Sequence, residues 1–221
     1  MTSTTKANGR GSTIWIAGVV LVVIIGIIAL VAARGSKQEE AAQVDAQQTA
    51  PVEVSGADAL PAVPQDPAEA DPAVGLPVPA LSGSSFDGSA VDIDPADGTA
   101  KVVIFAAHWC PHCQRELPML ADHLVRSPMP DDVELYTVST AVAEERGNYP
   151  PSTWLEDIRW KAPVLADSAE GDAAKAYALP GFPDFVAVDA DGKVVARTSG
   201  EISTDAFDAL VQAARSGTAP A

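Results

Sequence analysis

Residues 101–125 read KVVIFAAHWCPHCQRELPMLADHLV, and the organisation of the chain can be worked outward from them. Lys101–Ala107 is a continuous apolar run with branched and aromatic residues, suited to a strand buried on both faces. A helix is expected to start at or next to Cys110 and to run towards Val125. Cys110 then stands where free backbone N–H groups and the helix dipole favour negative charge on its sulfur. Cys113 lies about one turn further on, close enough to close a small ring with Cys110 that can be made and broken. A purely structural disulfide across so short a loop would gain little loop-closure entropy compared with a long-range bridge. A zinc half-site would need two more ligands, and the only histidines, His108, His112 and His123, all lie close to the pair.

The chain has 221 residues, with 30 Asp and Glu against 14 Lys and Arg, a net charge of −16. Residues 79–221 carry 22 acids against ten bases, a balance of −12. So acidic a body repels phosphate backbones, which excludes generic nucleic-acid binding. Two cysteines exclude a disulfide-rich scaffold, a four-cysteine zinc site and a cysteine-ligated iron–sulfur cluster. No cofactor and no metal is implied.

Ile14–Ala33, IWIAGVVLVVIIGIIALVAA, holds no charged residue. As a helix it would be about 30 Å long, the thickness of a bilayer's hydrocarbon core. Residues 1–13 are accordingly read as a short cytoplasmic N-terminus and 14–33 as a single transmembrane anchor in the cell membrane. A cleaved signal peptide, with Val31-Ala32-Ala33 as its cleavage site, is the rival reading, but its apolar region would normally be about 7–15 residues. Lys6 and Arg10 on one side tie with Arg34 and Lys37 on the other, so charge counting does not orient the anchor. An extracytoplasmic domain is expected from the cysteine chemistry. Residues 34–78 scatter Pro51, Pro61, Pro64, Pro67, Pro72 and Pro77 among Ala, Gln, Glu and Asp with no apolar period. That composition reads as a disordered linker.

Residues 79–221 are read as one α/β domain. Val91–Ile93, Lys101–Ala107, Val133–Ser139, Val164–Ala166, Phe185–Val188 and Lys193–Thr198 are expected strands. Thr153 with Glu156 suggests a capping box opening a short helix through Trp160. Another short helix is expected over Ala173–Ala178, and a last one over about Asp205–Arg215 with Gly217 beyond its end. Asp189-Ala190-Asp191-Gly192 reads as a hairpin turn with glycine where a positive φ is wanted. Trp154 and Trp160 read as packing residues, and His123 as a helix-surface residue.

The run WCPHCQRELP resembles the active site of the thioredoxin superfamily, specifically its TlpA-like membrane-anchored thiol–disulfide oxidoreductases. Trp109, Cys110, Cys113, Glu116 and Pro118 match the family's Trp-Cys-x-x-Cys-x-x-Glu-x-Pro, and Gly181-Phe182-Pro183 matches its Gly-x-Pro. The resemblance spans about Leu81 to Gly217. It implies a thioredoxin-like fold in which 150–178 is a helix–strand insertion, and a cis Pro183 against the cysteine pair. It also implies that Trp109 and Phe182 line the groove for the substrate chain. Two positions depart from the family. The carboxylate that many relatives carry six residues before the first cysteine is here Ile104, leaving the proton to exit through solvent or His112. Asp184 follows Pro183, where threonine is more usual, and is expected to face solvent.

The expected function is thiol–disulfide exchange on exported proteins through Cys110 as nucleophile and Cys113 as resolving partner, with a membrane redox partner recycling the pair. Pro111 and His112 tune it. A hydrogen bond or positive charge from His112 would favour thiolate at Cys110 and hence the reduced protein, which makes the protein an oxidant. Pro-His is also the dipeptide of DsbA-type oxidants, whereas the scaffold resembles a family rich in reductases, including those of cytochrome c maturation; reduction is the alternative. A non-catalytic metal-delivery module is a third reading. The absence of any histidine after His123 counts against it.

Overall fold

The computed structural model describes residues 48–64, 66 and 68–219. The chain divides into two units, Met1–Gln43 and Val44–Ala221, and every described residue lies in the second. The expected N-terminus (1–13) and transmembrane anchor (14–33), with 34–47 of the expected linker, lie outside the described residues. Among those described, no helix is long and apolar enough to cross a membrane.

In chain order the elements are β1 (Glu53–Ser55), β2 (Ala80–Ser84), β3 (Ala90–Ile93), β4 (Ala100–Ala106), α1 (Pro111–Arg126) and β5 (Val133–Ser139). They continue with α2 (Pro151–Asp157), β6 (Val164–Ala166), α3 (Asp172–Ala176), β7 (Asp184–Val188), β8 (Val194–Ser199) and α4 (Thr204–Ser216). Five strands form the main sheet in the order β6-β5-β4-β7-β8. β5 runs parallel to β4, with Ala100 opposite Val133 and Ala106 opposite Ser139, while β7 is antiparallel to β4. β1, β2 and β3 form a second, antiparallel sheet.

Side-chain alternation along β4 splits the core. Ile104 and Val102 face a layer shared with Leu117 and Leu120 of α1 and Phe207 and Leu210 of α4. Val103 and Phe105 face the opposite layer, with Leu81, Ile93 and Tyr177. β4 and β7 are buried along their whole length, which is why residues 102–106 and 185–188 are apolar without alternation. The α2–β6 segment adds an edge strand parallel to β5, as the expected insertion requires. At the β7–β8 turn Gly192 has φ +75°, and a Cβ there would lie 2.5 Å from the Pro95 carbonyl oxygen. The turn needs glycine for both reasons.

The described part of 34–78 is not a disordered linker. β1 adds to the edge of β2, pairing Glu53 with Ser82 and Ser55 with Ala80. Leu60, Ala73 and Val78 are buried in the second core layer. Asp71 is locked to Arg197 of β8: Arg197 Nε donates to Asp71 Oδ2 (2.8 Å) and Nη2 to Oδ1 (2.5 Å). Arg197 also donates to the carbonyls of Pro61 (3.0 Å) and Tyr177 (3.2 Å). A few apolar plugs and one buried ion pair order a segment whose composition alone suggests disorder. α2 differs as well. Pro150 is its N-cap and Pro151 its first residue, so it opens two residues before Thr153 with no side-chain capping bond, and it ends at Asp157. Proline suits a first helical position because its missing N–H would have no partner there.

Candidate active site

Cys110 is the N-cap of α1, in extended conformation (φ −71°, ψ 121°), and Pro111 follows at the first helical position. No side chain caps this helix, so the Cys110 sulfur is the group at its mouth. The backbone is pinned on both sides: Cys110 N–H donates to Ala107 O and Gln114 N–H to Cys110 O, each at 3.0 Å. Both cysteines are free thiols; Cys110 keeps 6% of its surface exposed and Cys113 none. Burial, reinforced by the neighbouring Cys110, pushes the Cys113 thiol far up. Cys113 therefore holds its proton, and Cys110 is the sulfur open to attack.

The β6–β7 side supplies the opposing wall. Phe182-Pro183 is a cis peptide, as the resemblance implied, and Cys110 Sγ–H donates to Phe182 O at 3.3 Å. Trp109 is half-buried at the rim. Its ring meets Phe182 edge-on at 6.3 Å, its Nε1–H donates to Ala141 O (2.7 Å), and the Arg146 guanidinium lies 3.8 Å over it. His108, fully buried, fixes the loop that brings Arg146 there. Its Nδ1 meets Gly147 O at 2.8 Å and its Nε2 accepts from Ala143 N–H at 3.2 Å, which places the proton on Nδ1. Burial holds the His108 pKa below its ordinary value.

His112 is exposed, and its Nδ1–H donates to Glu201 Oε1 at 2.6 Å. Arg115 grips the same carboxylate, Nε donating at 3.0 and 3.2 Å to its two oxygens and Nη2 to Oε1. Arg115 first and His112 second hold the Glu201 carboxyl at about 2.

Two buried carboxyls flank the site. Glu116, one turn beyond Cys113, accepts Ile202 N–H on Oε2 (3.1 Å) and has no partner for Oε1. Burial pushes it up to about 7. Asp184 is 1% exposed, correcting the expectation that it faces solvent. β7 alternation turns it to the layer opposite the cysteines, with Val186 and Val188. Burial raises it to about 7; Ser199 and Arg197 ease the charge, but neither carboxylate oxygen receives a hydrogen bond of normal geometry.

These two groups make the main carboxyl contribution to the pH dependence above pH 5. With folded pKa values above the ordinary carboxylate range, both bind protons more tightly folded than unfolded, so their contribution to stability falls as pH rises from about 4 through 7, while buried His108, held below its ordinary value, works the other way below about 6.5. The urea midpoint is expected to be lower at pH 8 than at pH 5. Asp184→Asn should remove a share of that loss of the order of 3 kcal/mol. An Asp184→Asn midpoint that falls over this interval as much as the wild type's would contradict the assignment.

The sequence-derived residues Cys110, Cys113, Pro111, Pro183, Trp109 and Phe182 come together at this site, with His112 at its edge. Sequence reasoning missed Arg115, Arg146 and Glu201, whose contacts are made across the fold, and the burial of Asp184. His123 is mostly buried rather than on the surface, its Nε2 2.8 Å from Asp208 Oδ1. Trp154 and Trp160 pack in the core as expected, and Trp160 Nε1–H donates to Thr137 Oγ1 at 2.9 Å. Among the described residues no three His, Cys, Asp or Glu side chains are grouped to hold a metal ion.

Comparison with known proteins agrees with this architecture. Solved structures similar to the chain include MTB dsbF in mixed oxidized and reduced forms, 24% identical over 61% of this chain and 94% of that one, TM-score 0.51. A thioredoxin-family thiol:disulfide interchange protein from Chlorobium tepidum TLS is 23% identical over 62% and 94%, TM-score 0.52. StoA from Bacillus subtilis is 20% identical over 63% and 98%, TM-score 0.51. These likenesses show a thioredoxin-like fold. No curated protein matches the chain. The AhpC/TSA family model matches residues 74–197, from the segment that crosses the back of the main sheet, through both cysteines and the cis proline, to the arginine of β8. The chain belongs to the AhpC/TSA family.

Proposed function

We propose that the protein is a TlpA-like thiol–disulfide oxidoreductase, held to the cell membrane by residues 14–33 and acting outside the cytoplasm on exported proteins. The observation that carries this reading is the pairing of Cys110, slightly exposed at a helix mouth, with a fully buried Cys113 thiol one turn away. The compartment is argued from the uncharged run at 14–33 and from the redox chemistry, which belongs where disulfides persist.

In the reducing direction, Cys110 thiolate attacks one sulfur of a substrate disulfide. A mixed disulfide forms and one substrate thiolate leaves. Cys113 then gives up its proton and attacks the Cys110 sulfur, releasing the second substrate thiolate. The substrate gains two electrons, and Cys110–Cys113 is left oxidised. Oxidation is the reverse, beginning with attack of a substrate thiolate on the Cys110 sulfur. The backbone at Phe182-Pro183 borders the substrate chain, with Trp109 at the rim. Recycling falls to a membrane redox partner.

Oxidation of substrates is the favoured direction, for the local reason that His112 sits beside Cys110. Reduction is the second reading, favoured by the Glu201 carboxylate on His112. Equilibration with glutathione buffers measures the potential directly, and the reference span of about −120 to −270 mV between DsbA and thioredoxin separates the two directions. Cys113→Ser protein is expected to accumulate mixed disulfides through Cys110 when mixed with exported protein substrates. Recovery of none would count against exchange.

A further inference from the structure

We infer that Glu201 is a positioning residue that sets the reactivity of the Cys110 sulfur by holding and compensating the two basic side chains beside it, His112 and Arg115. The inference rests on the exchange reading above and deepens it.

Glu201 lies in the loop after β8, 89 residues from His112. That loop is fixed on both sides of it. Gly200 N–H donates to Pro183 O at 2.8 Å, and Ile202 N–H to the buried Glu116 carboxylate at 3.1 Å. Phe182, the neighbour of Pro183, accepts from Cys110 Sγ. One short path of backbone contacts thus ties the Glu201 position to the reactive sulfur. The carboxylate then takes His112 Nδ1–H and the Arg115 guanidinium together. With the His112 Nδ1 proton committed to Glu201, the 3.0 Å approach of Arg115 Nη2 to that nitrogen sets two donors face to face and is not a hydrogen bond. Glu201 is the acceptor that lets the two basic groups lie so close.

Arg115 lies in the first turns of α1, the helix that Cys110 caps. Positive charge near that sulfur favours its thiolate, and a protein whose thiolate form is favoured is the stronger oxidant. A fixed carboxylate between the two basic groups subtracts from that effect. The Pro-His dipeptide in this chain therefore acts with a counter-charge supplied from the far end of the domain, and its oxidising tendency is moderated accordingly. Both side chains are partly solvated, so the effect is modest.

The test is the equilibrium with glutathione, together with the pH profile of Cys110 alkylation by iodoacetamide, both at low ionic strength. Glu201→Gln, which keeps the side-chain shape, is expected to shift the equilibrium about three- to tenfold towards the reduced protein, equivalent to about 14–30 mV. The half-maximal pH of alkylation should fall. Glu201→Lys should move both readouts further in the same direction, and in a His112→Ala background the Glu201→Gln shift should shrink. Unchanged potential and pH profile in both Glu201 variants, with exchange intact, would overturn the inference while leaving the exchange reading in place. Failure of the wild-type protein to equilibrate with glutathione at all would overturn the exchange reading itself, and this inference with it.

Discussion

Cys110→Ser protein is expected to lose thiol–disulfide exchange by about three orders of magnitude or more, as removal of a catalytic nucleophile does, while folding at least as stably as the wild type. The two halves of this expectation have separate causes. The reaction requires sulfur, because a serine hydroxyl neither ionises near neutral pH nor forms a cleavable bond to a substrate sulfur. The fold, by contrast, has a use for serine at this position. Residue 110 is the N-cap of α1, and the cysteine there makes no capping hydrogen bond. A serine oxygen can accept from a free N–H of the first turn, an interaction worth about 1 kcal/mol. Activity and stability therefore move in opposite or independent directions, measurable as insulin or glutathione exchange rates beside a thermal melt. Full activity in Cys110→Ser would remove this residue as the nucleophile.

Arg197→Met is expected to be the most damaging single change away from the cysteines. The Arg197 side chain is 1% exposed, and its guanidinium serves both Asp71 oxygens and the carbonyls of Pro61 and Tyr177. Burial pushes the Asp71 carboxyl up, but the Arg197 hydrogen bonds and the Ala73 N–H outweigh it and hold the group below its ordinary value. Methionine restores the volume and none of the donors. It leaves Asp71 as a largely buried charge, strands two carbonyls and takes away the cation that eases Asp184. Breaking a buried pair in this way costs about 3–5 kcal/mol, a large part of a typical domain's stability of about 5–15 kcal/mol. Urea unfolding at pH 7 reads the loss. Replacing both partners, Arg197→Met with Asp71→Leu, should recover most of it, because no unpaired charge then remains. A single-variant loss under about 1 kcal/mol would mean that the pair is well solvated.

Much of this site is legible in the chain because its chemistry is local. Cys110, Pro111 and Cys113 lie together in the cap and first turn of one helix, and the run before them is so apolar that a buried strand is the only comfortable reading. Glu116 was within reach of the same logic. Cys113, Glu116, Leu117 and Leu120 fall on one buried stripe, so a carboxyl on that stripe had to be desolvated. Glu201 and Arg146 were not legible, since nothing in a sequence says which distant loop returns to a helix mouth. The burial of Asp184 is not legible either, because side-chain alternation alone cannot tell solvent from a second core layer. That second layer is completed by Leu60, Ala73 and Val78, and the low apolar content of the segment they belong to hides it.

The ordered segment ahead of β2 also bears on where the gene should be cut. A fragment encoding only 79–221 would omit Leu60, Ala73 and Val78 from the interior and would strip a strand from the hairpin edge. Gly83 shows how closely this part is keyed to the rest: a Cβ there would lie 3.2 Å from Pro51 O. Recombinant protein begun at or before residue 48 keeps these parts together, and a soluble preparation begun at 79 would expose a greasy back face prone to clumping.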